Sequence, residues 1–251
     1  QNLTYQNSAT TLPASVTLNL TLNDGNTTGQ GTGGALSTTG SLVVTLSAVN
    51  DAPAFAGLDA TPTYTEGGSA VVLDADVTVS DVELDAATYN GATLQLARTT
   101  TANSEDVFGA TGNLSFSGTN LDWNGTTVGI LTTNSGGTLL LTFNGNATTA
   151  IVNSVLQNIT YANTSEVPGS PVQIDWTLND NNSGAQGSGG AASATGSITV
   201  TLSGVNDAPA FAGLDATPTY TEGGSAVVLD ANVTVSDLEL DAATYNGATL
   251  T

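Results

Sequence analysis

The stretch VNDAPAFAGLDATPTYTEGGSAVVLD occupies residues 49–74, and the same letters recur at residues 205–230. The same offset of 156 residues relates residues 1–48 to residues 157–204, which agree at about half of their positions. A fixed period of this kind indicates a tandem repeat, and it has to be recognised before any fold is predicted. The repetition is consistent with recent duplication and, equally, with a joint between units that uses this passage.

The period divides the chain into three parts. We expect residues 1–50, the first segment, to be the C-terminal part of a preceding repeat. Residues 51–206, the central unit, are expected to form one complete repeat, and residues 207–251, the third segment, the N-terminal part of the following repeat. Because the chain opens with Gln1 and the pattern runs past both ends of the central unit, the sequence indicates an excerpt of a longer polypeptide.

The charge balance narrows the classes of function. Twenty-two acidic residues face one basic residue, Arg98, which gives a formal net charge of -21. Such a chain cannot neutralise a phosphate backbone, so we expect no nucleic-acid partner. It has no run of about 20 apolar residues, so we expect no membrane insertion. There is no His, Cys or Lys, which excludes thiolate metal sites, histidine general bases and lysine Schiff bases. Carboxylates, amides and hydroxyls remain for chemistry, and we expect no enzymatic activity, because sandwiches with acids at strand ends seldom provide the cleft that paired catalytic carboxylates need.

Short runs of Val, Thr, Leu and Ile between clusters of Gly, Asn and Asp predict an all-β fold. In residues 172–178 the apolar side chains alternate, so one face of that strand should be buried and the other solvated. Residues 148–157 differ, since their apolar positions follow a helical spacing behind Thr148 as a candidate N-cap. The glycine-rich stretch 184–190 is predicted to be an exposed hairpin loop. The predicted strands are 16–22, 42–46, 63–66, 70–73, 77–79, 92–97, 128–131, 139–143, 158–161, 172–178 and 198–202.

Several motifs resemble those of cadherin repeats. VNDAPAF at residues 205–211 resembles their joint, and TEGG at residues 65–68 resembles the glutamate of their early strand. VSDVE at residues 79–83 resembles their acidic pair. LND at residues 178–180, followed by a glycine-rich turn and SITVTL at residues 197–202, resembles their last two strands. Over the whole period, the chain is similar to the bacterial cadherin-like repeats that occur in tandem in very large surface and secreted proteins.

This resemblance implies tandem cadherin-like or immunoglobulin-like β-sandwich units, each with one short helix, stacked end to end. It also implies calcium at the joints and an extracellular or cell-surface module for adhesion, in a rod or a fibre. The implied partners are neighbouring repeats and other copies in a fibre. The first implied calcium site consists of Asn50, Asp51, Asp81, Glu83, Asn179 and Asp180. The second consists of Glu66, Asn206, Asp207, Asp237 and Glu239. Two departures stand out: Ser47 and Ser203 replace a further Asp of the family joint, and its Asp-Arg-Glu motif has no counterpart.

Other interpretations of these residues stay open. Asn179 and Asp180 are equally consistent with turn caps, and Asp81 and Glu83 with a solvated loop pair. Asp74 and Asp76 are expected to lie on a solvated strand edge. A carbohydrate-binding module is the alternative function, and it requires exposed aromatic residues along a groove; Trp123, Trp176 and the tyrosines are more consistent with packing. A glycosidase would need two carboxyl groups in a cleft.

Overall fold

The computed structural model describes residues 2–9 and 11–251, and most of their regular secondary structure is β-strand. The strands in chain order are β1 Ser15–Asn23, β2 Ser37–Thr45, β3 Ala54–Ala56, β4 Thr63–Thr65, β5 Val71–Val72, β6 Thr78–Ser80, β7 Thr93–Arg98, β8 Asp106–Ala110, β9 Leu114–Ser117, β10 Asn120–Trp123, β11 Thr126–Ser135, β12 Thr138–Phe143, β13 Ile159–Asn163, β14 Val172–Asn179, β15 Ser193–Ser203, β16 Ala210–Ala212 and β17 Thr234–Ser236. The helices are α1 Val82–Asp85, α2 Thr149–Leu156 and α3 Leu238–Ala242.

The central unit contains a large sheet and a smaller three-stranded sheet with a shared core, and a two-stranded sheet of β3 and β6. The large sheet has eight strands in the order β4-β15-β14-β7-β12-β11-β10-β9, and the small sheet has the order β5-β13-β8. Neighbouring strands are antiparallel except for β4, which pairs in parallel with the end of β15. Tyr161 of β13 and Tyr64 of β4 meet edge to face across the core, with ring centroids 6.3 Å apart. The predicted all-β, sandwich-like fold class is confirmed.

Strand β14 shows how the sequence pattern sets the layers. Its apolar side chains Val172, Ile174, Trp176 and Leu178 are buried, whereas the residues between them are exposed or half-buried. Alternate side chains of a strand point to opposite faces, so this pattern directs one face into the core. The expectation of one buried face is therefore confirmed. The buried core is built from side chains of both sheets and of helix α2.

Helix α2 confirms the predicted helix and lies against the core. It buries Val152, Val155 and Leu156. Thr148 occupies the N-cap position, as predicted, in an extended conformation, but its side chain makes no capping hydrogen bond. The helix is held instead by its polar side chains, since Asn153 Oδ1 accepts a hydrogen bond from Val79 N at 2.8 Å. The one-turn helix α1 of the central unit was not predicted.

The single cation of the chain ties the two sheets together. Arg98 of β7 donates two hydrogen bonds to Asp106 of β8, at 2.9 and 2.6 Å. Asn163 of β13 donates to the same carboxylate at 3.0 Å. This hydrogen bonding to Asp106 raises the pKa of Arg98. The buried carboxylate thus has several donors, which a buried charge requires.

The first and third segments each carry one small sheet. Strands β1 and β2 form an antiparallel hairpin from Ser15↔Thr45 to Asn23↔Ser37. Strands β16 and β17 pair in the same way as β3 and β6 of the central unit. Among the described residues, none of the helices is long and apolar enough to cross a membrane.

Candidate metal centre

The first joint is the meeting point of Asn50, Asp51, Asp81, Glu83 and Asp180. Asn50 Nδ2 donates a hydrogen bond to Asp180 Oδ2 at 2.8 Å, and the backbone N of Asp51 donates to Glu83 Oε2 at 3.3 Å. We call residues 49–51, and their counterparts 205–207 one period later, the linker. The linker, the start of α1 and the end of β14 therefore come together at the first joint. Five of the six residues predicted for the first site share this contact network.

Asp81 is the buried acid of the first joint. It is 3% exposed and caps α1, because its Oδ1 accepts hydrogen bonds from Glu83 N at 3.0 Å and Leu84 N at 2.8 Å. Its other oxygen, Oδ2, has no hydrogen-bond partner. Burial, with added repulsion from Glu83 and Asp180, raises the pKa of Asp81. An unpaired buried carboxylate of this kind is costly until a cation approaches it.

The loop after β14 fixes the linker at the first joint. Asp180 Oδ1 accepts hydrogen bonds from the backbone N of Asn182 and of Ala192, at 3.0 and 2.9 Å, which closes the loop. Ser188 in this loop then forms a parallel bridge with Val49. Asn50 N donates to Ser188 O at 2.8 Å, so protein contacts alone fix the backbone of Asn50 at the joint.

Asn179 takes no part in this network. Its Nδ2 donates to Ser193 Oγ at 2.8 Å, and its Oδ1 accepts from Asn181 N at 2.8 Å. Both ends of its amide are thus used in the turn, as the turn-cap interpretation states. The structure instead offers Gln186, whose Oε1 is buried and unpartnered, like Oδ1 of Asn50. Gln186 Nε2 donates to Asp180 O at 3.1 Å, which places this amide beside the joint.

The second joint is centred on four acids, Glu66, Glu166, Asp207 and Glu239. Carboxylate oxygens of Glu66, Glu166 and Asp207 lie within 4.8 Å of one another. The backbone N of Asp207 donates to Glu239 Oε2 at 3.4 Å, which repeats the Asp51 to Glu83 contact of the first joint. Oδ2 of Asp207 and Oε1 of Glu239 are buried without a hydrogen-bond partner. Four acids therefore converge here with two unpaired oxygens.

The remaining residues predicted for the second site lie around this cluster. Asn206 is exposed and lines a cavity of about 290 Å³ together with Glu66, Glu166 and Glu239. Its Nδ2 donates to Asp207 O at 2.9 Å. Asp237 is 7% exposed and caps α3, where its Oδ1 accepts from Leu240 N at 2.8 Å. Asp237 and Asp207 also line one shallow cavity.

Glu166 is the site residue that sequence reasoning missed. It lies in the loop between β13 and β14, and no motif marks it. Comparison of the repeats gives no signal either, because its counterpart one period earlier is Thr10, which lies outside the described residues. Only the position of the loop beside Glu66 shows that this exposed acid belongs to the joint.

The two joints contain acids from opposite sides of the linker. The first joint contains the linker and the acids of the unit that follows it, Asp81, Glu83 and Asp180. The second joint contains the linker, the acids of the preceding unit, Glu66 and Glu166, and those of α3 in the following one. A shift by one period superposes the linker residues, so a joint between two whole units would contain both sets of acids.

A third acidic cluster, Asp59, Asp74 and Asp76, is explained by hydrogen bonds within a loop. Asp74 is 1% exposed, which corrects the expectation of a solvated edge. Its Oδ2 accepts hydrogen bonds from the backbone N of Asp59 and Ala60, and its Oδ1 accepts from Asp76 and Val77, all at 2.9 to 3.1 Å. Four backbone donors satisfy the carboxylate, so this side chain organises a loop. Asp76 is exposed, as expected.

The aromatic side chains of the central unit pack into the core, whereas Tyr5, Phe211 and Tyr220 of the end segments are 39%, 55% and 58% exposed. Trp176 and Tyr161 are fully buried, Tyr64 is 4% exposed, and Trp123 packs partly buried against the same core. These residues do not form the exposed aromatic groove that the carbohydrate-binding alternative requires.

Comparisons with known proteins leave the function to be argued from these residues. No protein-family model matches the chain, and no curated protein matches it. Among solved structures, it is similar to the crystal structure of the protocadherin GammaB4 extracellular domain, at 16% identity and a TM-score of 0.31. That similarity covers 90% of this chain and 29% of the protocadherin chain. It is too low to support an inference about function.

Proposed function

We propose that this chain is a structural and adhesive repeat module of a long extracellular protein, stiffened by calcium at its joints. The observation that carries the proposal is the second joint, where Glu66, Glu166 and Asp207 bring carboxylate oxygens within 4.8 Å of one another. In this proposal, the units form a rod or fibre, and neighbouring repeats are the immediate partners. The extracellular or cell-surface location belongs to the same proposal.

The donor set of the second joint fits calcium. Calcium binds six to eight oxygens at about 2.3 to 2.6 Å, so two oxygens on one ion lie at most about 5 Å apart. The spacing of the three carboxylates meets that condition, and Asp207 and Glu239 add buried oxygens without hydrogen-bond partners. Softer metals prefer imidazole and thiolate ligands, which this chain lacks.

An ion at the second joint would connect elements that are otherwise held by few contacts. Glu66 follows β4, Glu166 belongs to the loop before β14, and Glu239 lies in α3 beyond the linker. Without a cation, these like charges repel one another in a partly desolvated space. A bound divalent ion would reverse the sign of that interaction and fix α3 to the end of the central unit.

The proposal predicts that the joints bind calcium weakly, but tightly enough for millimolar calcium to stabilise the folded chain. Extracellular calcium modules bind with dissociation constants of about 0.1 to 1 mM. At a calcium concentration 100 times the dissociation constant, binding only to the folded state adds about 2.7 kcal/mol to the free energy of unfolding. We therefore expect urea unfolding midpoints to be higher in 10 mM calcium than in chelator. We also expect slower proteolysis of the linker and a longer maximum dimension in small-angle scattering. Identical unfolding, cleavage and scattering in the two conditions would contradict the proposal.

Glu166 gives a site-specific version of this test. We expect Glu166→Gln to weaken calcium binding in calorimetry, because the change removes one of the three clustered carboxylates. The matched control is Glu222→Gln, since Glu222 is an exposed glutamate that this proposal places outside both joints. Equal calcium affinity for the two variants would remove Glu166 from the site.

A further inference from the structure

The first joint contains three buried side-chain oxygen atoms that accept no hydrogen bond. They are Oδ1 of Asn50 in the linker, Oδ2 of Asp81 at the start of α1, and Oε1 of Gln186 in the loop after β14. Asp81 is the most enclosed of the three residues, at 3% exposure. A buried acceptor without a donor is costly, so three of them at one joint require an explanation.

The hydrogen bonds of the two amides fix which of their atoms is left free. Asn50 Nδ2 donates to Asp180 Oδ2 at 2.8 Å, and Gln186 Nε2 donates to Asp180 O at 3.1 Å. Only the NH2 group of an amide can donate to these oxygens, so a flip of either amide would place two oxygens against each other. The free atoms are therefore carbonyl oxygens, which are ligands that calcium accepts.

The chain offers no cationic side chain to these oxygens. Its one basic residue is Arg98, which donates to Asp106 at 2.9 and 2.6 Å between the two sheets. The charges at the joint have the opposite sign, because Asp81, Glu83 and Asp180 are all acids. A divalent cation from solution satisfies the free oxygens and offsets this negative charge at the same time, whereas water supplies only the hydrogen bonds.

The loop after β14 holds Gln186 beside both the linker and α1. Gln186 and Glu83 line one cavity of about 190 Å³, which Ala48 also lines from the residue before the linker. The same loop is joined to the linker by its backbone, since Asn50 N donates to Ser188 O at 2.8 Å. The side chain of Gln186 is therefore placed by contacts on both sides of it.

We propose that Gln186 is a calcium ligand of the first joint, through Oε1, together with Asn50 Oδ1, Asp81 Oδ2 and the carboxylate of Glu83. This inference rests on the proposed function and extends it to the glycine-rich loop, which the resemblance leaves without a ligand. An ion held in this way connects the linker, α1 and the loop. Calcium should therefore slow the separation of the linker from the loop, which hydrogen exchange of the Asn50 amide measures.

Two substitutions of Gln186 separate a ligand from a residue that only supports the loop. Gln186→Glu replaces the donor to Asp180 O by a carboxylate oxygen, so this variant should unfold at lower urea than the unmodified chain in chelator. As a ligand, the added charge should tighten calcium binding about three- to tenfold. Gln186→Met removes the oxygen and should weaken calcium binding about three- to tenfold. Affinity at the first joint is read from Asn50 amide exchange in the full chain as calcium is titrated.

Gln30 provides the matched control. It is the counterpart of Gln186 one period earlier, and its Nε2 donates to Asp24 O at 3.2 Å in the same way. Gln30 is exposed, so its side chain is open to water. Gln30→Glu should leave the calcium dependence of Asn50 exchange as it is in the unmodified chain.

The outcomes distinguish this ligand from the calcium proposal as a whole. Tighter binding in Gln186→Glu and weaker binding in Gln186→Met, with Gln30→Glu unchanged, supports Gln186 as a ligand. Equal calcium dependence in all variants overturns it, and so does weaker binding in both Gln186 variants, which is the result for a residue that only supports the loop. Calcium that raises the urea midpoint without slowing Asn50 exchange also overturns it, but leaves the second joint as the calcium site. Calcium that changes neither quantity overturns the proposed function and this inference together.

Discussion

Residues 49–94 and 205–250 differ at only two positions, yet the first stretch contains strands that the second lacks. Residues 63–65 and 71–72 form strands β4 and β5, whereas the identical residues 219–221 and 227–228 form none. Strand β4 pairs with β15 and β5 pairs with β13, and in the described residues the third segment offers no such partners. The comparison shows that these strands are determined by their partners and not by local sequence.

The largest test of this comparison is a matched pair of core substitutions. Leu73 is fully buried, and its counterpart Leu229 is 74% exposed. We expect Leu73→Ala to lower the free energy of unfolding by about 2 to 5 kcal/mol. Leu229→Ala should change it by less than about 0.5 kcal/mol. Tryptophan fluorescence during urea unfolding measures this, because both tryptophans, Trp123 and Trp176, lie in the central unit. Similar losses for the two variants would mean that Leu229 also contributes to the stability of the central unit.

The same comparison shows what sequence could predict. The strand predictions for residues 63–66 and 70–73 are confirmed in the central unit, because composition identifies segments that are able to pair. Composition failed for β8, where Asp106 and Gly109 make the segment resemble a loop although pairing with β13 makes it a strand. The helix α2 was predicted because its apolar spacing is local information.

Some residues of the candidate site follow from a local motif, and others are brought together only by the fold. Asp81 and Glu83 stand two residues apart in one motif, and their meeting with the linker follows from where α1 begins. Glu166 stands about 100 residues from Glu66 in sequence, and only the fold brings their carboxylates together. Asn179 and Asp180 are neighbours with different roles, because the turn after β14 engages the amide of one and directs the carboxylate of the other to Asn50.

A second matched pair tests the loop that holds the linker. A Cβ at Gly187 would lie 2.9 Å from backbone atoms of Ala48 and Val49, whereas a Cβ at Gly31 would have no atom within 4 Å. Both glycines have positive φ, at 121° and 112°, so the backbone strain of an alanine is similar. We expect Gly187→Ala to lower the free energy of unfolding by about 1 to 3 kcal/mol more than Gly31→Ala does, because only Gly187 packs against the linker. Hydrogen exchange of the Asn50 amide should accelerate only in Gly187→Ala. Equal exchange in the two variants would contradict the inference that this loop holds the linker in place.

Calcium binding provides a third pair within identical sequence. Glu66 belongs to the second joint, and its counterpart Glu222 is exposed. We expect Glu66→Gln to weaken calcium binding by about tenfold, which corresponds to about 1.4 kcal/mol. Glu222→Gln should bind calcium as the unmodified chain does. Calorimetric titration of both variants measures the difference. Equal weakening in the two variants would indicate binding to the overall negative charge of the chain.

The smallest expected effect concerns one of the two positions at which the copies differ, Asp76 against Asn232. A hydrogen bond with Asp74, together with repulsion from it, raises the pKa of Asp76 above its ordinary value of 3.8. A raised pKa means that the stabilising contribution of the protonated group is complete below about pH 3.8 and is lost as the pH rises through the folded-state pKa. Asparagine keeps a side-chain donor at every pH, so Asp76→Asn should slightly raise the unfolding midpoint at pH 7 and leave it unchanged near pH 3. Asn232→Asp is the control, because it changes the third segment and should not alter the tryptophan signal of the central unit. An equal gain at both pH values would show that the benefit of Asp76→Asn does not come from removing a titrating carboxylate.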